Sequence, residues 1–282
     1  MSTTLAALLA RAQAAGVARL DAQLLAAHCL GRAREWVIAH DDVVPQARHA
    51  DALEALLRRR AAGEPLAYLV GEREFHGLVL AVTRDVLVPR PETELLVDWA
   101  LERLAAWQAL PALPAAPTPA VVDLGTGSGA IALAVAHAAP WAWLTATDAS
   151  DAALAVARHN AARLGLPLEL LAGDWWQPLA GRRFALALAN PPYVASGDPH
   201  LRALAHEPQC ALTSGCDGVD ALRQIVAEAP AHLLPGGWLL VEHGFDQGPA
   251  VRRLLGAAGF EAIETRPDLA RLPRCTGGRR PG

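Results

Sequence analysis

The hydrophobic pattern changes period twice along the chain, and each change marks a different building block. From Met1 to about Glu74, apolar residues recur at helix spacing: Leu5, Leu8 and Leu9, then Leu20, Leu24, Leu25 and Cys29, then Leu53, Leu56 and Leu57, with breaks at Gly16, Gly31 and Pro45. Such spacing lays one apolar stripe along each helix, so residues 1–74 are predicted to form a small helical bundle. Leu78, Leu80 and Val82, then Val86 and Val88, fall on alternate positions about Thr83-Arg84-Asp85. This period of two predicts a β-hairpin connector over residues 75–91. Pro91 suits the first position of a helix running to about Gln108, where Glu92 and Glu94 would face the positive end of the helix dipole. Pro111 to Pro119, with four prolines and no charge, reads as a flexible surface link.

From Ala120 onward strand and helix patterns alternate. Strands are predicted at Ala120–Leu124, Leu144–Asp148, Leu168–Ala172, Phe184–Asn190, Trp238–Glu242 and Ala262–Thr265, and helices at Ala130–His137, Asp151–Leu164, Val219–Leu234 and Gln247–Ala258. The alternation makes residues 92–282 an α/β domain with a mainly parallel sheet and helices on both faces. In such sheets ligands bind outside the carboxyl ends of the strands, so those ends are where chemistry is sought.

The sharpest break is at one of them. The apolar run Phe184 to Ala189 stops at Asn190-Pro191-Pro192-Tyr193. Asn-Pro and Pro-Pro are ordinary turn dipeptides. Neither proline carries a backbone N–H, however, so the turn cannot extend the ladder and its carbonyls stay free to accept. Asn190 adds a side-chain carbonyl, and Tyr193 a flat aromatic face. Acceptors beside a stacking plate describe a clamp for an NH2 group on a conjugated carbonyl or ring.

Upstream, Val121 to Ala130 is a strand entering a glycine-rich turn, Gly125-Thr126-Gly127-Ser128-Gly129, that opens a helix. Glycines allow close backbone approach to a ligand, and the helix start favours an anionic group. The pattern serves dinucleotide enzymes and methyl-donor enzymes alike. Asp148 ends the next strand, about twenty residues on, where a carboxylate accepts from ribose hydroxyls. After the third strand, Asp174 is placed to accept from an adenine amino group and Trp175 to cover the ring, although Trp175 beside Trp176 also reads as packing.

Composition narrows the classes. All 25 basic residues are arginine, so Schiff-base chemistry, a pyridoxal cofactor and a P-loop nucleotide site lose their usual cation. The net charge of −4 gives no support to a nucleic-acid or anionic-membrane partner, and the bundle carries nine basic and nine acidic residues from Met1 to Glu74. Arg58-Arg59-Arg60 reads as a solvated last helical turn. The four cysteines (Cys29, Cys210, Cys216, Cys275) show no metal-ligand spacing and read as reduced thiols of a cytoplasmic protein; no metal site is expected. Met1 to Leu9 lacks the basic region of a signal peptide, and Pro140 and His137 interrupt the one long uncharged stretch, so no membrane span is expected.

Taken together, Pro89-Arg-Pro-Glu-Thr-Glu94, Asp123-Leu-Gly-Thr-Gly-Ser-Gly129, Asp148, Asp174-Trp175 and Asn190-Pro-Pro-Tyr193 resemble the S-adenosylmethionine-dependent glutamine methyltransferases that modify peptide chain release factors, the PrmC/HemK family. Gly63 to Tyr68, Asp198 to Leu201, Glu207-Pro208, Glu242-His-Gly244 and Leu272 to Arg279 match as well, so the resemblance covers nearly the whole chain. The segments Asp148 to Asp174 and Leu201 to Glu207 are slightly shorter than the family pattern.

The resemblance implies a class I methyltransferase sheet of Rossmann-like type with an N-terminal substrate-recognition bundle. It implies S-adenosyl-L-methionine as cofactor, held by Gly125, Thr126, Gly127, Ser128, Gly129, Asp148, Asp174, Trp175 and Asn190. The implied substrate is the glutamine of the Gly-Gly-Gln loop in bacterial class-one release factors, met by Asn190, Pro191, Pro192 and Tyr193, with Arg90 and Glu92 shaping its channel. A monomer with no stable nucleic-acid binding is expected. The rival is a DNA adenine or cytosine amino-methyltransferase, which acts on a similar NH2 but needs to flip a base and hold phosphates. A nicotinamide oxidoreductase or a bare nucleotide-binding module leaves the Asn-Pro-Pro-Tyr turn without a task.

Overall fold

The structure, a computed structural model, describes residues 3–108 and 118–282, so most of the proline-rich link predicted at 111–119 lies outside the described residues. The chain divides into two compact units, residues 1–72 and 73–282.

The first unit is helical: α1 (Leu5–Ala14), α2 (Arg19–Leu30), α3 (Arg34–Ala39), α4 (Ala47–Ala61) and α5 (Leu66–Val70). Thr4 caps α1 by accepting from Ala7 N–H, and Gly31 ends α2 in the left-handed conformation. Leu5, Leu8, Leu25, Val37 and Leu53 make the core. Two members of the predicted stripes, Leu20 and Leu24, fall outside it. Leu20 is 51% exposed, and α2 turns Ala22 and Ala26 inward instead. Small side chains there let α2 approach α3 and α4 closely, a contact that hydrophobic spacing alone ranks below leucine. In the last turn of α4, Arg59 grips Glu64 at 2.7 and 2.8 Å and Arg60 pairs with Asp21 at 2.7 Å.

The second unit opens with a hairpin, but not at the predicted register. β1 (Glu72–Phe75) and β2 (Leu78–Ala81) turn at His76-Gly77, and residues 82–90 form no strand. Val82, Val86 and Val88 are buried as their alternation suggests. They belong to a looped segment in which the Thr83 hydroxyl donates to Asp85 (2.9 Å) and accepts from Asp85 N–H (3.2 Å). That local bonding satisfies the Asp85 N–H without a ladder partner. A 3-10 turn, Pro91–Thr93, then leads into α6 (Glu94–Gln108).

The sheet contains β3 (Ala120–Leu124), β4 (Trp143–Asp148), β5 (Glu169–Ala172), β6 (Phe184–Ala189), β7 (Leu233–Glu242), β8 (Glu261–Pro267) and β9 (Pro273–Arg279), in the spatial order β5-β4-β3-β6-β7-β9-β8. Strands β3 to β7 are parallel, as the alternation with α7 (Ala130–Ala138), α8 (Asp151–Leu164), α9 (Asp220–His232) and α10 (Gly248–Ala257) requires. The two cores share the sheet. On β6, Leu186 and Leu188 feed one, and Ala187 and Ala189 the other. Trp176 settles into the second, its indole N–H donating to the Ile225 carbonyl at 3.0 Å.

Strand β9 is absent from the sequence prediction because Pro273, Gly277 and Gly278 carry little β propensity. Its pairing is set by neighbours, antiparallel to both β7 and β8. A Cβ at Gly277 would lie 2.4 Å from Leu240 Cδ2 and 2.8 Å from Trp99 Cη2, so the indole of α6 occupies the space a side chain would need. Among the described residues no helix is long and apolar enough to cross a membrane.

Two buried polar residues hold the turn after β3. Asn160 of α8 accepts from Ala81 N–H (2.7 Å) and donates to the carbonyls of Ala81 and Ser128 (2.9 Å each), tying the hairpin to the glycine turn. Asp123 accepts from the Thr126 hydroxyl at 2.6 Å, and its other oxygen has no partner. Burial pushes the Asp123 carboxyl up to about 7.

Asn160→Ala leaves one buried and two half-buried backbone groups without that partner, and urea unfolding should show a loss of about 2–4 kcal/mol. Asp123 has its folded pKa raised above the unfolded one, so its stabilising contribution is complete below the ordinary aspartate range and is lost as pH rises through about 7. Between pH 5 and pH 8.5 that loss is at most about 3 kcal/mol. Asp123→Asn should lose correspondingly less stability over the same interval, measured by denaturant melts at both pH values; an unchanged difference would contradict the assignment.

Candidate active site

The ladder registers decide which residues meet. Leu124 of β3 pairs with Thr147 of β4 and with Ala189 of β6, and Ala189 pairs with Val241 of β7. The residues that follow this row, Asp148, Gly125, Asn190 and Glu242, therefore emerge side by side at the carboxyl edge. Four strands deliver four different chemistries to one line: a carboxylate, a turn of bare backbone, a carboxamide and a buried acid.

A cavity of about 380 Å³ opens at this edge, within the usual range for small-molecule sites. Gly125, Thr126, Gly127, Ser128, Asp148, Asp174, Trp175, Asn190, Pro192 and Arg90, all expected from the sequence, line it. Gly129 lies outside the lining, as the cap residue of α7 with φ +84°. Pro191 is buried behind the wall, Tyr193 sits off it, and Glu92 is exposed to solvent away from it.

Each wall has a physical cause. Asp148 Oδ2 accepts from Gly127 N–H and Oδ1 from Ser150 N–H, both at 2.9 Å, which fixes the carboxylate and leaves lone pairs toward the cavity. Burial raises its pKa, opposed by those two N–H groups. Trp175 has a positive φ of +43°, and its ring lies on Gly125: a Cβ there would come within 2.7 Å of the indole. Gly127 differs, since a Cβ on it meets no protein atom within 4 Å and the space belongs to the opening. No side chain caps the start of α7, so its first N–H groups are available to a ligand anion. Asp174 is exposed, with Gln224 Nε2 at 3.4 Å from Oδ2.

Asn190 donates through Nδ2 to the Thr93 hydroxyl at 3.1 Å. Tyr193 is held through its backbone, whose carbonyl accepts from Gln247 Nε2 at 2.9 Å, while Gln247 Oε1 accepts from Gly244 N–H at 2.9 Å. Burial above all, then the Glu242 charge, pushes the Tyr193 phenol up to about 12, so it stays protonated. Arg90 pairs with Glu207, which also accepts from Val88 N–H at 3.1 Å.

Sequence reasoning assigned no role to Thr93, Glu207 or Glu242, or to Phe75, Leu87 and Cys210 on the wall. The one available signal was that Thr93, Glu207 and Glu242 lie within stretches that carry the family resemblance. Among the described residues no group of three or more His, Cys, Asp or Glu is arranged to hold a metal ion. The arrangement suits a ligand with vicinal hydroxyls for Asp148, an anionic group for the glycine turn and a planar ring for Trp175, next to an amide-sized space at Asn190.

Comparison with known proteins agrees with this geometry. A family model described as the PrmC N-terminal domain matches residues 3–71, and one described as the methyltransferase small domain matches residues 108–256. A protein of Bordetella pertussis named release factor glutamine methyltransferase is 50% identical over 266 residues, 93% of this chain and 95% of that protein. A protein of the same name from Burkholderia pseudomallei is 49% identical over 272 residues, 93% and 92% of the two chains. Among solved structures, a methyltransferase from Pyrococcus furiosus superposes with a TM-score of 0.52 at 16% identity, covering 73% of this chain and 90% of that one, which speaks to the fold alone. Identity near one half over almost the full length of both chains, with both family models in chain order, leads to one conclusion: the chain belongs to the release factor glutamine methyltransferase family.

Proposed function

We propose that the protein transfers the methyl group of S-adenosyl-L-methionine to the side-chain amide nitrogen, N5, of the glutamine in the Gly-Gly-Gln loop of bacterial class-one peptide chain release factors. The observation that carries the reading is the Asn190 carboxamide on the wall of the cavity shared with the glycine turn and Asp148, in a chain half identical to enzymes of that name.

The cavity residues fit the cofactor. Asp148 has acceptor capacity left for the ribose hydroxyls, Asp174 for the adenine amino group, Trp175 offers its face to the ring, and Gly125 to Gly129 with the start of α7 receive the amino-acid carboxylate. When bound, S-adenosyl-L-methionine supplies an electrophilic methyl on a sulfonium.

This chain's residues then handle the acceptor. A carboxamide nitrogen is a weak nucleophile because its lone pair is delocalised into the carbonyl. Asn190 Oδ1 accepts one of its N–H groups and the Pro191 carbonyl the other, which orients the nitrogen and stabilises the positive charge it develops. Pro191 and Pro192 keep the turn out of the ladder, and Pro191, buried behind the wall, contributes only its carbonyl. Tyr193 packs at the side of the turn, its protonated phenol unsuited to act as a base. The nitrogen releases its proton after transfer, so no general base is required. Arg90, pinned by Glu207, borders the acceptor end of the cavity. Exposed Glu92 has only an outer part in that channel. The helical bundle grips the release factor away from the reacting loop, and the enzyme works as a cytoplasmic monomer without stable nucleic-acid binding.

Labelled methyl should pass to an intact release factor and not to DNA; label on DNA amino groups would replace this reading with the nucleic-acid one. Asn190→Ala should keep cofactor affinity, measured calorimetrically, and lose turnover by on the order of a hundredfold or more. A short peptide carrying only the Gly-Gly-Gln loop should be methylated with kcat/KM lower than the intact factor by about a hundredfold or more, because binding energy from remote contacts is absent. Equal efficiency for peptide and factor would remove the recognition role of residues 1–72.

A further inference from the structure

The Asn190 carboxamide is nearly symmetrical in shape, so packing does not decide whether its oxygen or its nitrogen faces the cavity. Its Nδ2 lies 3.1 Å from Thr93 Oγ1. A hydroxyl has one proton and can accept from Asn190 only when that proton points elsewhere. Thr93 is buried, and Glu242, at the end of β7, is the acid whose ionisation its hydroxyl and that of Tyr193 favour. Glu242 is 1% exposed and its Oε2 has no hydrogen-bond partner. An acid so buried, one strand from the reacting residue, calls for a task.

We propose that Thr93 and Glu242 are positioning residues that set which end of Asn190 faces the substrate: the Glu242 carboxylate takes the Thr93 O–H, Thr93 Oγ1 takes an Asn190 N–H, and Asn190 Oδ1 is left to face the cavity. The inference rests on the reading that the substrate presents an amide N–H to Asn190. It also makes the orientation depend on the ionisation of Glu242. A protonated Glu242 donates to Thr93, whose proton is then free to turn toward Asn190, and the carboxamide reverses.

Burial pushes Glu242 up to about 7, with the Thr93 hydroxyl, Arg274 and Tyr193 opposing the shift and Glu92 adding to it. The charged and titratable groups around it come from every neighbouring element: Tyr193 after β6, Glu92 and Arg90 before α6, Arg274 and Cys275 on β9, and His243 next along the chain. Tyr193 and Cys275 titrate well above this range, and burial lowers His243.

Three variants, Thr93→Val, Thr93→Ser and Glu242→Gln, are compared with the wild type in methyl transfer to a release factor and in cofactor binding. The Asn190 side-chain amide is also followed by 15N NMR in cofactor-free protein from pH 5.5 to 8.5. Thr93→Val should lower kcat on the order of tenfold to a hundredfold, the range seen when an outer partner of a reacting group is lost, with KM and cofactor affinity within about threefold. Thr93→Ser should recover most of kcat. In the wild type, kcat and the Asn190 resonance should change together through about 7, turnover being higher on the alkaline side, and Glu242→Gln should flatten both. Wild-type kcat in Thr93→Val, equal loss in Thr93→Ser, or an unaltered Asn190 titration in Glu242→Gln would overturn the proposal. A wild type that leaves the release factor unmethylated would instead refute the functional reading, and the NMR titration would still test the relay.

Discussion

The parallel register of β4, β3, β6 and β7 is the constraint on which the site depends. Parallel strands end together, and a shift of one strand by one residue would reverse the faces of its side chains and move its last residue out of line. The row Thr147, Leu124, Ala189, Val241 is locked by the second core, in which Leu124, Ala189 and Val241 are fully buried. Hydrophobic burial therefore aims Asp148, Gly125, Asn190 and Glu242 at one another, though none of the four is itself apolar in a way that would draw them together. The polar edge is a by-product of apolar packing a few ångströms away.

The same edge concentrates electrostatic cost. Asp123 and Glu242 are buried acids on the strands flanking β6, each with one unpartnered oxygen, and both are pushed up to about 7. A fold under selection for stability alone would replace such groups with neutral isosteres, since uncompensated buried acids weaken the folded state at neutral pH. Their position on either side of Asn190 places this strain where a charge-sensitive reaction would take place, in keeping with the tendency of perturbed groups to gather at working sites.

Much of this was legible in the chain. The strands from Ala120 to Ala189 and helix α8 follow from alternation and caps, and the glycine turn, Asp148 and Asn190 were identified from their positions at strand ends. The missing parts share a reason. β9 is a strand because β7 and β8 supply its partners and Trp99 fills the space above Gly277, facts that no local propensity encodes. Residues 82–88 alternate like a strand because valines plug the core from a loop, so burial produced the pattern without a ladder. Thr93 and Glu242 are ordinary residues in sequence, separated by most of the catalytic unit, and only tertiary register puts them beside Asn190. Tyr193, expected on the cavity wall, turns to Glu242 instead.

Gln247 bonds at once to Tyr193 on the loop after β6 and to Gly244 on the loop after β7, and a Cβ at Gly218 would come within 2.3 Å of the Tyr193 carbonyl oxygen. The Asn-Pro-Pro-Tyr turn is therefore not a modular cassette. Transplanting it between scaffolds, or lengthening it by directed evolution, has to carry along a glutamine at the head of α10 and a glycine ahead of α9, because three segments remote in sequence share a single fastening.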